Sequence, residues 1–239
     1  MKTRFTQICT GFILAGMLSS CATKLDPNDG ASIRKWMEEQ KIKFLPGTLI
    51  TAVVKGDTTN AAMYIKAGLP VDGTDAGGNT ALAICANKNN VAMVTWLLEQ
   101  GADISIRNSK GVTPLVDAAS LGNKETVLAI VKSERKKDPQ MLGATDALIM
   151  ASRQGFVEIV QILIEAGSPK DFKSNEGWTA LTWAAKGGHA PVIDYLISQG
   201  VDVNAADKDG YTALDWAINE NYSKVIASLR KAGGKSKQK

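Results

Sequence analysis

Few residues in this chain of 239 could support acid–base, nucleophilic or metal chemistry. The chain contains one histidine, His189, and three cysteines, Cys9, Cys21 and Cys85. Cys9 and Cys21 lie near the N-terminus, and a single His with the single remaining Cys cannot complete a zinc site of about four ligands. The sequence also lacks the glycine-rich loop that binds phosphates. We therefore expect no catalytic site, no metal and no cofactor.

Aromatic residues offer a different chemistry, because Trp and Tyr contribute much of the binding energy at protein interfaces. The stretch GWTALTWAAKGG begins at Gly177, and GYTALDWAINEN begins 33 residues later at Gly210. In both stretches an aromatic residue precedes Thr-Ala-Leu and a Trp follows it. Four aromatic residues thus occupy equivalent positions in the two stretches: Trp178, Trp183, Tyr211 and Trp216.

The N-terminal segment carries a candidate modification site. MKTR is positively charged, and the apolar stretch from Ile8 to Leu18 is shorter than the roughly 20 residues that span a bilayer, as in a secretory signal peptide. The residues Leu18-Ser19-Ser20-Cys21 that follow resemble a bacterial lipobox. In that family, signal peptidase II cuts before the Cys and a diacylglyceryl group is attached to its thiol.

The lipobox resemblance implies a signal peptide over residues 1–20, lipidation of Cys21 and a tether over residues 21–31. Because residue 22 is Ala, it also implies an anchor in the outer membrane that faces the periplasm. The alternative is an ordinary signal peptide with a chance Cys. Cys85 would be the remaining free thiol, and we expect it to be a small buried residue.

The charge of the chain argues against nucleic acid as a partner. The net charge is only +4, and the basic residues form no long stripe. The segment 234–239 is a basic tail that we expect to be solvated.

Several positions repeat every 33 residues, which identifies an internal repeat. One set of equivalent positions holds small residues, and another holds Gly in five of its six copies. The clearest register holds leucine: Leu49, Leu82, Leu115, Leu148, Leu181 and Leu214. We therefore predict six repeats over residues 45–233.

Each repeat carries the signals of two short helices. A Thr opens the first helix in four repeats, where its hydroxyl can cap free backbone N–H groups. The second helix has apolar residues at helical spacing, as in VAMVTWLLEQG. A Gly after this helix suits a left-handed C-cap.

The motif around the opening Thr resembles the ankyrin repeat family. It reads Gly-Val-Thr-Pro-Leu from Gly111 and Gly-Asn-Thr-Ala-Leu from Gly78. The resemblance implies an all-α repeat solenoid of six ankyrin repeats, each a helix–turn–helix unit with a hairpin loop. Residues 132–146 lose the motif, so we expect a distorted loop there that could divide the stack into unequal halves.

Both ends of the array carry signals of caps. Ile33, Trp36 and Met37 share one face of a predicted N-terminal capping helix, within residues 32–44. Arg230 replaces an apolar residue of the earlier repeats, which suits an exposed final face.

Ankyrin proteins usually bind other proteins through their hairpin tips and the concave face of their first helices. The resemblance places Trp178 and Tyr211 at tips, side by side, and Trp183 beside Trp216 on the concave face. These rings could instead shield the core between repeats, and for the two helical Trp residues both interpretations stay open. The predicted polar rim consists of five residues: Lys186, Asn219, Glu220, Asp209 and Asp215. Trp96, on a second helix, is interpreted as packing.

The resulting prediction is a monomeric, non-catalytic adaptor that binds another protein and is anchored to the membrane by lipid. Two more specific hypotheses remain open. One is an immunity protein that neutralises a toxin delivered into the periplasm. The other is an assembly or protection factor for a periplasmic enzyme such as catalase. A third class, a structural envelope protein without a partner, also remains open.

Overall fold

The computed structural model describes residues 26, 28–134 and 143–237, which contain thirteen α-helices. The first, α1, precedes six pairs that correspond to the six predicted repeats. The bounds are α1 Gly30–Glu39, α2 Pro46–Val54, α3 Thr58–Lys66, α4 Ala81–Asn87, α5 Val91–Glu99, α6 Pro114–Ser120, α7 Lys124–Glu134, α8 Ala144–Gln154, α9 Val157–Glu165, α10 Ala180–Lys186, α11 Ala190–Ser198, α12 Ala213–Asn219 and α13 Ser223–Lys231.

Helix starts follow the predicted threonine caps. The hydroxyl of Thr80 accepts a hydrogen bond from the backbone N–H three residues later, and the same bond forms at Thr113, Thr179 and Thr212. Helix α8 differs, because the residue before it is Gly143, which has no side chain to accept such a bond. The glycines after five of the second helices adopt positive φ between 72° and 103°, as predicted: Gly68, Gly101, Gly167, Gly200 and Gly233.

The repeats share one continuous apolar core. All six leucines of the main register are buried, with at most 3% of their surface exposed. The first helices pack on each other in sequence, and so do the second helices of repeats two to six. The loop within residues 132–146 lies largely outside the described residues, but α6 packs on α8 and α7 packs on α9 across it. The expected division of the stack is therefore wrong, because the apolar faces on both sides match.

The N-terminal helix α1 covers the first repeat and begins two residues earlier than predicted. Asp29 caps it by accepting hydrogen bonds from the backbone N–H groups of the next residues. Gly30 approaches α3 so closely that a Cβ would lie 2.2 Å from the carbonyl oxygen of Lys66. Ile33 and Met37 are buried in the core, and Trp36 packs against it. The last residues of the predicted tether are therefore part of the cap; residues 21–25 lie outside the described residues.

The backbone of the C-terminal tail is docked on the last repeat, a contact that was not predicted, while the side chains of Lys235 and Lys237 are exposed. The backbone N–H of Lys235 donates to Asn204 Oδ1 at 2.7 Å. Asp72 and Asp171 accept equivalent bonds from the loops that follow repeats two and five, so the tail continues the register of the inter-repeat loops. Residues 238–239 lie outside the described part. Arg230 is exposed, as expected of a final face.

Within the described ranges, no helix has the length and apolar character needed to cross a membrane.

Candidate functional site

Two kinds of local structure position the four aromatic residues. Trp183 and Trp216 lie on the first helices of repeats five and six, α10 and α12. Trp178 and Tyr211 each lie one residue before a capping Thr, at the end of a loop. The Trp178 N–H donates to Ser174 Oγ at 3.2 Å, and the Tyr211 N–H donates to an Asp207 carboxylate oxygen at 2.9 Å. These turns aim both rings toward the first helices.

The four rings form one connected cluster, which we call the aromatic cluster. The Trp178 centroid lies 4.5 Å from that of Trp183 and 4.7 Å from that of Trp216, and the Tyr211 centroid lies 6.1 Å from that of Trp216. The predicted pairing of tip with tip and helix with helix is therefore wrong. Trp178 folds back from its tip and lies between the two helical indoles, which are within reach of its large side chain.

Cations cover the faces of these rings. Lys186 Nζ lies 4.8 Å from the Trp178 centroid and 4.6 Å from the Trp216 centroid. The Arg153 guanidinium lies 5.0 Å from the Trp183 centroid, and Lys237 Nζ lies 4.6 Å from the Tyr211 centroid. Such cation–π contacts stabilise the arrangement by about 0.5–1 kcal/mol each at exposed sites. They also place positive charge beside every ring of the aromatic cluster.

The aromatic cluster lies at the edge of the core. All four rings are half-buried. Ile84 and Met150, which occupy the register of Trp183 in repeats two and four, belong to the partly buried residues that pack against the core, whereas none of the four aromatic residues does. The rings thus pack on one another more than on the core. Trp96, by contrast, packs against the core, as predicted.

A small concavity adjoins the last repeat. It has a volume of about 230 Å³ and is lined by Tyr211, Asp215, Trp216 and Asn219. The Trp216 indole N–H donates to Asp207 Oδ2 at 3.2 Å, which holds this ring toward the turn of its own repeat. Asn219 is exposed at the rim, in the place expected for a polar contact.

Asp215 does not lie on an exposed rim, which corrects its predicted position. Only 2% of its surface is exposed. It forms a capping box with Thr212, and its carboxylate accepts hydrogen bonds from the Ser236 hydroxyl and the Lys237 N–H. Burial alone raises the pKa of Asp215, but the hydrogen bonds from Ser236, Thr212 and Lys237 outweigh it and lower the pKa to about 2. Its role is to hold the tail on α12.

The other predicted chemical residues have structural positions. Burial raises the pKa of the free Cys85 thiol to about 11, so that it behaves as a small apolar residue. His189 precedes α11, and its Nε2 forms a hydrogen bond with the Arg153 carbonyl at 2.8 Å. The described residues contain no cluster of His, Cys, Asp and Glu side chains that could hold a metal ion. Cys21 lies outside the described residues.

Two residues of the site were missed in the sequence. Arg153 lies exactly one repeat before Lys186, so the 33-residue register could have identified it. Lys237 had no such signal, because its contact with Tyr211 depends on the docking of the tail.

Known proteins share this arrangement of helices. A family model described as ankyrin repeats (3 copies) matches residues 49–141 and 148–239. An ankyrin repeat domain from Acinetobacter baumannii superposes with a TM-score of 0.69 at 29% identity, covering 78% of this chain and 98% of that one.

Sequence relatives match over shorter stretches. An ankyrin repeat protein of Rickettsia bellii is 42% identical over 50 residues, which are 21% of this chain and 30% of that protein. A rice protein named as a probable E3 ubiquitin-protein ligase is 37% identical over 81 residues, 33% of this chain and 16% of that protein. The chain therefore spans less than a third of the length of either relative. Since the family model covers most of the chain, this protein belongs to the ankyrin repeat family.

Proposed function

We propose that this protein is a non-catalytic adaptor that binds another protein through the aromatic cluster of repeats five and six. The observation that carries the proposal is the position of four large rings at the edge of the core rather than within it. Half-buried Trp and Tyr residues beside charged groups are typical of interface hot spots. Lys186 and the exposed Asn219 supply polar contacts at the border of this surface.

A lipid anchor at Cys21 would place this surface in the bacterial envelope, facing the periplasm. The sequence features in favour are the charged N-terminus, the short apolar stretch and the lipobox resemblance. The domain acts as a monomer in this proposal, since one chain supplies the whole aromatic cluster. A metabolic-labelling experiment with a palmitate analogue tests the anchor, and Cys21→Ser abolishes the label.

The partner-binding proposal is tested by affinity capture from detergent-solubilised envelopes with the full-length chain as bait. The test variant is Trp178→Ala/Tyr211→Ala. The matched control is Asn79→Ala/Val112→Ala, which changes the same loop positions in repeats two and three. All baits are compared at equal amounts and with their melting temperatures measured.

The proposal expects a protein that the wild-type chain and the control variant retain and the aromatic variant loses. Equal retention by all three baits would contradict a site at the aromatic cluster. A partner retained only by baits that keep Asn79 and Val112 would place the site in repeats two and three instead.

A further inference from the structure

Two cations of the site are related by the repeat. Arg153 lies in the last turn of α8, and Lys186 is the last residue of α10, exactly 33 positions later. Each lies against an indole, Arg153 on Trp183 and Lys186 on Trp178 and Trp216. The stacking holds both side chains on the same surface and leaves their N–H donors at its edge.

Neither side chain has an acceptor within the described residues. No hydrogen bond or ion pair joins the Arg153 guanidinium or the Lys186 ammonium to another described group, although both contact rings. Two cations elsewhere do pair with a carboxylate of the next repeat: Arg107 with Asp146 at 3.3 Å, and Lys124 with Glu158 at 3.2 Å. The two cations on the indoles therefore have no carboxylate partner among the described residues.

Two carboxylates of repeat six, the repeat that carries Trp216, are already engaged. Asp207 accepts hydrogen bonds from the Tyr211 and Asp209 N–H groups and from the Trp216 indole. Asp215 is buried under the tail and accepts from Thr212, Ser236 and Lys237. Rotating either carboxylate toward Lys186 would break bonds that hold the last repeat together. Within the described residues, neither cation has a carboxylate partner, and a binding partner can supply one.

We infer that the surface of Arg153, Lys186, Trp178, Trp183 and Trp216 binds an extended acidic segment of a partner protein. This inference rests on the proposed function and names the chemistry of the partner. Carboxylates of the segment pair with the guanidinium and the ammonium, and its backbone and apolar groups lie on the indole faces. Because both cations are held on rings, less side-chain entropy is lost when they pair than for free surface lysines.

The distance between the two cations sets the spacing of the acidic residues in the bound segment. Packed helices lie about 8–10 Å apart, and an extended chain advances about 3.3 Å per residue. Acidic residues about three positions apart can therefore reach both cations. The guanidinium of Arg153 can hold one carboxylate in a bidentate pair, whereas Lys186 acts as a point charge.

The test selects binders from a display library of random dodecapeptides, with the full-length chain as target at low ionic strength. The measured quantity is the frequency of Asp and Glu in the selected peptides relative to the unselected library. The same selection is made on Arg153→Gln/Lys186→Gln. The matched control, Lys55→Gln/Lys88→Gln, removes two exposed cations that are also 33 residues apart, in repeats one and two.

Selection on the wild-type chain should enrich Asp and Glu at least about twofold, at positions about three residues apart. The best peptide should bind the Arg153→Gln/Lys186→Gln variant about tenfold more weakly and the control variant equally well. Replacement of its acids by Gln or Asn should cause the same loss. Added salt should weaken binding to the wild-type chain.

Three results would overturn the inference: no enrichment of acidic residues, equal enrichment on the Arg153→Gln/Lys186→Gln variant, or no selected peptide. The failure of the two proposals can be told apart. Neutral peptides that bind the wild-type chain but not Trp178→Ala/Tyr211→Ala would reject the acidic partner and retain the aromatic cluster as a binding site. Acidic peptides that bind the wild-type chain and Trp178→Ala/Tyr211→Ala equally well would reject a role of these rings in binding.

Discussion

Repeats two and three differ from repeats five and six at the same positions of the same scaffold. The loop position before the capping Thr holds Asn79 in repeat two, whose amide donates to Asp75 and accepts from Asn108. In repeat three it holds Val112, which packs against the core. In repeats five and six it holds Trp178 and Tyr211, which pack on other rings.

The first helices show the same contrast. Ile84 of repeat two packs against the core, whereas Trp183 and Trp216 contact Trp178 with tilted ring planes beside the cations. The caps and the buried leucines are the same in both regions. The comparison teaches that the buried registers maintain the solenoid, while the exposed registers can change chemistry from one repeat to the next.

The largest effect should come from the register that both regions share. Leu82→Ala and Leu181→Ala each remove a fully buried side chain, so each should lower the free energy of unfolding by about 3 kcal/mol. Equilibrium urea denaturation measures both values. A much smaller loss for Leu181→Ala would mean that the scaffold itself differs between the regions.

The second largest effect should be on partner binding, and it should differ between the two regions. Trp178→Ala should weaken binding of the captured partner about a hundredfold, or about 2.7 kcal/mol, whereas Asn79→Ala should leave the affinity unchanged. Because Trp178 packs mainly on other rings, its loss should lower stability by no more than about 1.5 kcal/mol. Calorimetric titration and thermal denaturation of the same preparations measure the two quantities. A large loss of stability with no change in affinity would identify the aromatic cluster as packing.

A pH-dependent effect should come from Asp215 in the last repeat. Because the pKa of Asp215 is lowered to about 2, its charged form stabilises the fold above its unfolded pKa of about 4, and this contribution is lost as the pH falls toward 2. Asp215→Asn should therefore lower the free energy of unfolding by about 2 kcal/mol at neutral pH. The difference from wild type should shrink below about pH 4.

The matched position in repeat five is Thr182, whose hydroxyl forms a hydrogen bond with that of Thr179 at 3.0 Å. Thr182→Val should lower the free energy of unfolding by about 1 kcal/mol. Since neither hydroxyl titrates, urea denaturation should show the same loss at neutral pH and below about pH 4. A loss for Asp215→Asn that is equally independent of pH would contradict the charged bond to the tail.

The smallest loss of stability should come from removing a helix N-cap, and it should be equal in the two regions. Thr80→Ala and Thr179→Ala each remove a helix N-cap, at a cost of about 1 kcal/mol. Paired melting temperatures check the two variants side by side. A cost for Thr179→Ala more than twice that for Thr80→Ala would show that the bond between Thr179 and Thr182 adds to the cap.

Much of the fold could be predicted because a strict repeat places equivalent residues in equivalent surroundings. The leucine register, the threonine caps and the left-handed glycines all lie where the 33-residue period predicts. The prediction was weaker wherever the period ends. At the start of α1, Gly30 lies close to Lys66 of α3, a contact that the period does not predict because α1 lies outside the repeats.

The candidate site was predicted in part. The positions of Trp183 and Trp216 on first helices follow from the period, but the partners of the rings do not. Trp178 lies against both of them because of the direction in which its side chain leaves the loop, which depends on tertiary packing. The charge of Asp215 suggested a polar rim, and the docking of Ser236 and Lys237 made it an internal cap.

The sequence by itself determined the number of repeats, their helices and their caps, because these depend on short-range hydrogen bonds and on apolar residues at a constant period. Tertiary structure decided which rings touch, that Arg153 and Lys186 lie on them, and that the tail covers Asp215. The contacts of Trp178 and Lys186 with Trp216, and of Arg153 with Trp183, join different repeats, so their geometry depends on how the repeats stack.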